Sequence, residues 1–236
     1  MPRSAAKYDD MTIYGKKIGQ GMFCGVDEAG RGPVMGPLVV AAVQVKNDRA
    51  LKKLQVKDSK LLTRQKREEL APQIMELARV EVVVVTADEI DRFMAQDTLN
   101  MLEVIHFAAL IEMLRPDRAY IDAADVVEAR FGQNIQDRLT CRPELVSQHK
   151  ADVKYPVVSA ASIIAKVFRD RAMDEIQEQV GQEVGSGYAH DEVTLRFMRR
   201  WLQEKGELPP HTRHCWKTAK TLYSLSKVTK LTDWTD

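Results

Sequence analysis

The chain has 236 residues, 44% of them hydrophobic and 29% charged, with a formal net charge of +1. That length and balance fit a soluble globular protein with one large core, and they exclude a low-complexity chain or a small disulfide-stapled domain. Cys24, Cys141 and Cys215 are odd in number, widely spaced and free of any C-x-x-C pair, and no apolar run approaches the ~20 residues of a membrane helix. We therefore expect a reduced, cytoplasmic protein without a membrane partner, and a start that lacks the apolar core of a signal peptide agrees.

Residues 1–21 are polar and read as an N-terminal arm. Phe23 to Val26 is a short strand that runs into Asp27 and Glu28, and Gly30-Arg31-Gly32-Pro33 follows at once. A longer apolar run, Val34 to Val45, predicts the second strand. Side chains alternate along a strand, so Asp27 and Glu28 converge only where the backbone turns, and the glycines and Pro33 supply that turn. Carboxylates beside apolar strands need hydrogen bonds or a cation, and Mg²⁺ prefers a few carboxylate oxygens. A solvated strand-to-turn corner is the plain alternative. A dinucleotide-binding loop is excluded, because Gly30, Gly32 and Gly36 miss the G-x-G-x-x-G spacing and a β-rich run follows.

Lys57-Asp58-Ser59-Lys60 is a polar loop, and a helix is predicted from Thr63, as N-cap, to Ala78. Val80 to Thr86 is β-branched and predicts a third strand. Helices follow over Ala87–Phe93 and Thr98–Leu114, the latter with a broad apolar face and ended by Pro116. Ala119 to Ile121 is a strand that ends at Asp122-Ala-Ala-Asp125. A carboxylate at the carboxyl end of a central strand stands where open α/β sheets place their ligands. Leu145 to Ser147 predicts the fifth strand. Asp152 comes next, just before a long helix over Val157–Val180. Gly185-Ser186-Gly187-Tyr188 is a turn that presents a tyrosine, followed by a helix over Asp191–Lys205. Pro209-Pro210 precedes a last helical segment containing Trp216 and Leu222. From Arg196 to Lys230 the bases are opposed only by Glu204 and Glu207. Such a segment can meet a phosphate backbone, although a solvated helix face is the commoner meaning.

Asp27-Glu28-Ala29-Gly30-Arg31-Gly32-Pro33 resembles the opening motif of ribonuclease HII, the type 2 ribonuclease H family. Further stretches resemble the family in order: Asp58-Ser59-Lys60, then Ala160-Ala161-Ser162-Ile163-Ile164-Ala165-Lys166-Val167 with Arg169-Asp170. The likeness covers roughly Gly25 to Trp216. After Tyr188 the chain reads Ala189-His190-Asp191-Glu192 where a Pro-Ser-Asp-Pro-like run is expected, and Cys215 stands where serine is more usual.

The resemblance implies an α/β fold, a ribonuclease H-like core with a five-stranded mixed sheet flanked by helices, plus a small helical C-terminal subdomain. We expect an arm over 1–21, a catalytic core over 22–184, the subdomain over 185–226 and a mobile tail over 227–236, with element order β-β-β-α-β-α-β-α before the last helices. The family's catalytic metal ligands fall on Asp27, Glu28, Asp122 and Asp152. Its substrate-binding residues fall on Gly30, Arg31, Gly32, Lys60 and Tyr188, with the tyrosine sensing the sugar. The implied cofactors are two Mn²⁺ or Mg²⁺ ions about 4 Å apart. The implied activity is endonucleolytic cleavage of the RNA strand of RNA–DNA hybrids, and of ribonucleotides embedded in duplex DNA, leaving 5′-phosphate and 3′-hydroxyl ends in the service of replication and repair.

Another two-metal nuclease or strand-transfer enzyme of related fold would share the acids but ignore the sugar. A non-catalytic hybrid-binding module would not need four acids, and the intact quartet argues against it. A monomer is expected. The tail, Val228 to Trp234, loosely resembles the sliding-clamp-binding peptides of replication enzymes, with Leu231 and Trp234 as anchors.

Overall fold

The computed structural model describes residues 21–56 and 61–232. Most of the expected arm, Lys60 and Trp234 lie outside them. In chain order the elements are β1 (Phe23–Ala29), β2 (Leu38–Val45), α1 (Arg49–Lys53), α2 (Arg64–Leu77), β3 (Arg79–Val85), α3 (Ala87–Met94) and α4 (Leu99–Leu114). Then come β4 (Arg118–Asp122), α5 (Glu128–Gln136), β5 (Glu144–Gln148), α6 (Ala151–Lys154), α7 (Pro156–Val180), α8 (Glu192–Lys205) and α9 (Lys217–Thr232). The strands form one mixed sheet in the order β3-β2-β1-β4-β5, with β1–β4 and β4–β5 parallel. Two helices, α1 and α2, separate β2 from β3; α2 is the helix expected from Thr63, and the expected order with three leading strands in succession is corrected accordingly.

Local chemistry accounts for several boundaries. Thr63 caps α2 as expected, its hydroxyl accepting the Lys66 amide at 3.2 Å. Thr86 and Glu89 form a reciprocal capping box at the start of α3, satisfying two amides at once. β2 begins at Leu38 rather than Val34. The Val34 and Met35 amides donate instead to the Gly187 carbonyl, at 2.8 and 3.1 Å, and the Gly36 amide donates to His211.

The chain divides into two compact units. The first comprises the residues through Asp27, Val40–Val83 and Val104–Ala165. Its core holds Val26, Val43, Ile74, Ile111 and Ile163, all fully buried, and Phe107 meets Phe131 edge-to-face at 5.3 Å. Two glycines set its tightest contacts. A Cβ on Gly25 of β1 would overlap the backbone of Val157 and Val158 in α7, and one on Gly132 of α5 would lie 2.9 Å from the Ser147 Cβ of β5. Gly132 thus lets α5 lie against β5 despite its cost inside a helix.

The second unit comprises Glu28–Val39, Val84–Glu103 and the residues from Lys166 onward. Val34, Met35, Met173, Ile176, Phe197 and Met198 form its core, with Trp201 and Trp216 packed at the edge.

Candidate active site

Parallel pairing explains how two of the carboxylates meet. β1 and β4 pair in the register Gly25–Tyr120 and Val26–Ile121, and the next step along the same register brings Asp27 beside Asp122. Paired residues share a face, and neighbouring strands lie ~4.8 Å apart, so the two carboxylates emerge together. β4 ends there. The Ala123 amide still bonds to the Gln148 carbonyl of β5 at 3.0 Å, which fixes the strand end.

The third carboxylate comes from α6, a single turn that the sequence did not reveal. Lys150 enters it in the left-handed region, at φ 55°. The Ala151 amide then donates to Asp122 Oδ1 at 3.0 Å, tying α6 to the strand end and leaving the next residue, Asp152, facing the same place. Two further contacts hold this turn. Tyr155 stacks on Tyr120 of β4 with ring centroids 4.2 Å apart, and the Ser159 hydroxyl donates to the Asp152 carbonyl. Oxygens of Asp27, Asp122 and Asp152 all lie within 4.8 Å of one another, and Asp27 and Asp152 are buried.

Glu28 is half-buried and stands outside that trio. β1 stays regular through Ala29, so strand alternation separates Glu28 from Asp27 where the sequence suggested a turn. Asp125 has a different task. Its oxygens accept from Arg130 Nε and Nη2 at 2.9 and 2.6 Å and from the Val127 amide at 3.0 Å, which closes the loop into α5.

In the second unit the Gly-Arg-Gly turn and the tyrosine lie together. Gly30 sits at φ +89°, and a Cβ there would overlap the Pro37 carbonyl, so only glycine fits. Gly32 is different, since a Cβ would meet Tyr188 Cε1 at an ordinary 3.7 Å. Arg31 is paired with the fully buried Glu103, and its Nη2 donates to Asn100 Oδ1 at 2.6 Å. The arginine that the resemblance places among the substrate-binding residues is thus braced by α4. Tyr188 is held from behind: the Arg169 guanidinium lies 5.2 Å from its ring centroid and donates to the Ser186 carbonyl.

Asp191, which the family's usual run also has at this position, shapes the tyrosine turn. It caps α8 through the Val193 amide and accepts from the Ser186 amide and hydroxyl, both at 2.6 Å. Those bonds, the Ser186 hydroxyl above all, lower its pKa from 3.8 to about 2. A depressed carboxyl pKa contributes stability that is present above 3.8 and lost as pH falls through about 2. The Ser186 amide NMR shift should accordingly titrate with a midpoint near pH 2, and a midpoint near 3.8 would contradict this anchoring.

Sequence reasoning missed the buried residues behind the turn. Arg213 belongs to the basic segment expected to form a solvated face or to meet phosphate, yet it is fully buried. Its guanidinium donates to the carbonyls of Gly30 (2.5 Å), Arg31 (3.0 Å) and Gly36 (3.0 Å). Lysines and arginines of one segment look alike until burial distinguishes them, so only the adjacent Trp216 offered a signal.

Residues 24–219 match the model of the family described as Ribonuclease HII. The chain belongs to the ribonuclease HII family. It is therefore an enzyme of the ribonuclease H type, whose reaction is cleavage of the RNA strand of an RNA–DNA hybrid. Ribonuclease HII of Methanocella arvoryzae is 48% identical to it over 201 residues, 84% of this chain and 90% of the relative. The solved ribonuclease H2 of Pyrococcus horikoshii superposes with a TM-score of 0.82 at 39% identity, covering 87% of this chain and 99% of that one. Ribonuclease HII of Archaeoglobus fulgidus, solved in complex with PCNA, gives 0.79 at 42% identity, covering 85% and 96%. These family members share the ribonuclease H fold seen here. Among the described residues no helix is long and apolar enough to cross a membrane.

Proposed function

We propose that the chain is an endonuclease acting on hybrids and on ribonucleotides embedded in duplex DNA, with Asp27, Glu28, Asp122 and Asp152 as its catalytic carboxylates. The observation that carries this is the trio of oxygens within 4.8 Å, two of the three side chains being buried. Like charges held that close raise one another's energy, and an all-carboxylate donor set suits hard divalent ions. Asp27, Asp122 and Asp152 would hold Mg²⁺ or Mn²⁺; Glu28, outside the trio, is assigned as a fourth ligand by the resemblance alone. Two such ions, when bound, would supply an activated water and stabilise the leaving 3′-oxygen.

The chain's own residues supply the sugar selectivity. Asp27 and Gly30 are three Cα steps apart, at most ~11 Å, so a nucleotide seated on the turn is within reach of the acids by chain connectivity alone. Lacking a Cβ, Gly32 lets a ribose approach the backbone beside the Tyr188 ring, and a 2′-hydroxyl can both donate and accept there. Arg31, fixed by Glu103 and Asn100, presents its remaining surface to the adjoining phosphate.

The test compares a duplex with one ribonucleotide, a long hybrid and an all-DNA duplex. Gly32→Ala, whose methyl the protein accommodates, should melt as the wild type does and cut both ribose-containing substrates at least ~10-fold more slowly. Tyr188→Phe and Tyr188→Ala should also lose far more turnover than stability. Equal cutting of all-DNA duplex by the wild type overturns ribose selectivity, and near-normal rates in all three variants remove the turn and the tyrosine from it. Residue Lys60 is assigned to substrate by the resemblance alone. The Archaeoglobus complex supports a sliding-clamp partner, and only the tail's loose resemblance to clamp-binding peptides assigns the contact to it. Deleting 227–236 should abolish clamp binding, and unchanged affinity would end that assignment.

A further inference from the structure

Every carbonyl of the Gly-Arg-Gly turn is engaged from the same side. Arg213 takes those of Gly30 and Arg31, its Nε takes that of Gly36, and Trp216 Nε1 donates to that of Gly32 at 3.3 Å. The Trp216 ring also lies 4.8 Å from the Arg213 guanidinium carbon, so the two donors brace each other. Asp91 anchors the segment they stand on, accepting the His214 and Cys215 amides at 2.6 and 2.9 Å.

Peptide geometry gives this arrangement a consequence. None of the peptide bonds is cis among the described residues, and in a planar trans unit the C=O and N–H point in opposite directions. With the Gly30 and Arg31 carbonyls turned toward Arg213, the amides of Arg31 and Gly32 face the other way, away from the guanidinium. Burial and the neighbouring Arg169 lower the Arg213 pKa to about 10, which leaves it cationic at neutral pH. Its charge polarises the same peptide units, strengthening the outward amides as donors.

We infer that Arg213 is a positioning residue for ribose recognition: by gripping the carbonyls of Gly30, Arg31 and Gly36 it fixes the outward direction of the Arg31 and Gly32 amides, and with it the selectivity of the turn for a 2′-hydroxyl. The inference rests on the turn being the ribose-binding surface, as proposed above. A lysine keeps the charge but gathers its donors on one nitrogen, so it cannot reproduce the three separate nitrogens that Arg213 sets against the three carbonyls.

Affinity, measured in calcium buffer, for a duplex with one ribonucleotide and for the same duplex in all-DNA form gives a selectivity ratio for each variant. Arg213→Lys should lower that ratio about tenfold, equivalent to about 1.4 kcal/mol. A merely structural arginine would change stability and overall affinity without moving the ratio. Trp216→Phe, which keeps a ring over the guanidinium and removes only the bond to Gly32, should lower it about threefold, and it decides the matter should the lysine variant not fold. An unchanged ratio in folded Arg213→Lys, or in Trp216→Phe, overturns the role of this scaffold. Gly32→Ala separates the two ideas. A ratio lowered by Gly32→Ala but not by Arg213→Lys sinks the positioning role alone, whereas a ratio unaffected by Gly32→Ala sinks ribose sensing by the turn and the positioning role together.

Discussion

Asp122→Asn should slow hydrolysis by about 10³-fold or more, and its melting temperature should stay level or rise. Asp122 is one of three carboxylates within 4.8 Å of one another. Two unit charges 4.8 Å apart repel by roughly 3.5 kcal/mol at an effective dielectric of ~20, so neutralising one relieves the fold while removing a ligand. Asparagine retains the oxygen that accepts the Ala151 amide, so the turn carrying Asp152 stays in place. Asp27→Asn and Asp152→Asn should behave alike, and Glu28→Gln, outside the trio, should lose activity while remaining folded. Asp125→Asn is the control: its oxygens serve Arg130 and Val127, so it should lose about 1 kcal/mol of stability and keep its rate within a few-fold. Kinetics at saturating Mg²⁺ with parallel thermal melts would read both effects. More than a tenth of the wild-type rate in Asp122→Asn would sink the assignment.

The second large effect concerns stability. Gly25→Ala adds one methyl group where β1 meets the start of α7, and that carbon would overlap the Val157 carbonyl group and the Val158 nitrogen. Backbone atoms cannot rotate aside as a side chain can, so strand and helix must part. Overpacking costs typically 1–3 kcal/mol, and a backbone collision belongs at the upper end, lowering the melting temperature by roughly 6–12 °C. Activity should fall below the melting range as well, because Asp152 reaches the trio through the turn that runs directly into α7. A melt by circular dichroism checks this, and a midpoint within about 2 °C of wild type would show that the approach is looser than the geometry says.

The legible parts of the fold were those written locally. Thr63 announced its helix by capping chemistry, and Pro116 marked the end of α4. Asp27 and Asp122 were visible because each terminates an apolar strand, and parallel register brings such ends together. Asp152 was legible only through the family resemblance, since α6 is too short for any periodicity to show. α5 gave little warning either: Val127 offers no side-chain cap and Gly132 interrupts its middle, because packing on β5 selected that residue. The continuous apolar run from Val34 hid the true start of β2, as amides directed to Gly187 and His211 leave no trace in composition. The expected tail was partly a helix, α9 continuing to Thr232. Arg213 was the least legible of all, being a buried guanidinium set among exposed bases of the same segment.

End-group analysis of the cut strand tests the central claim most directly. A duplex carrying one ribonucleotide, labelled on either side of it, would be incubated with the wild-type enzyme and Mg²⁺, beside the same duplex in all-DNA form. Hydrolysis by water at the carboxylate site breaks the P–O3′ bond, so the products should carry a 5′-phosphate and a 3′-hydroxyl, and the all-DNA duplex should remain whole. A 2′,3′-cyclic phosphate would mean that the sugar's own 2′-oxygen attacked, and that result, or equal cutting of all-DNA, would contradict hydrolysis by these acids with ribose read at the turn.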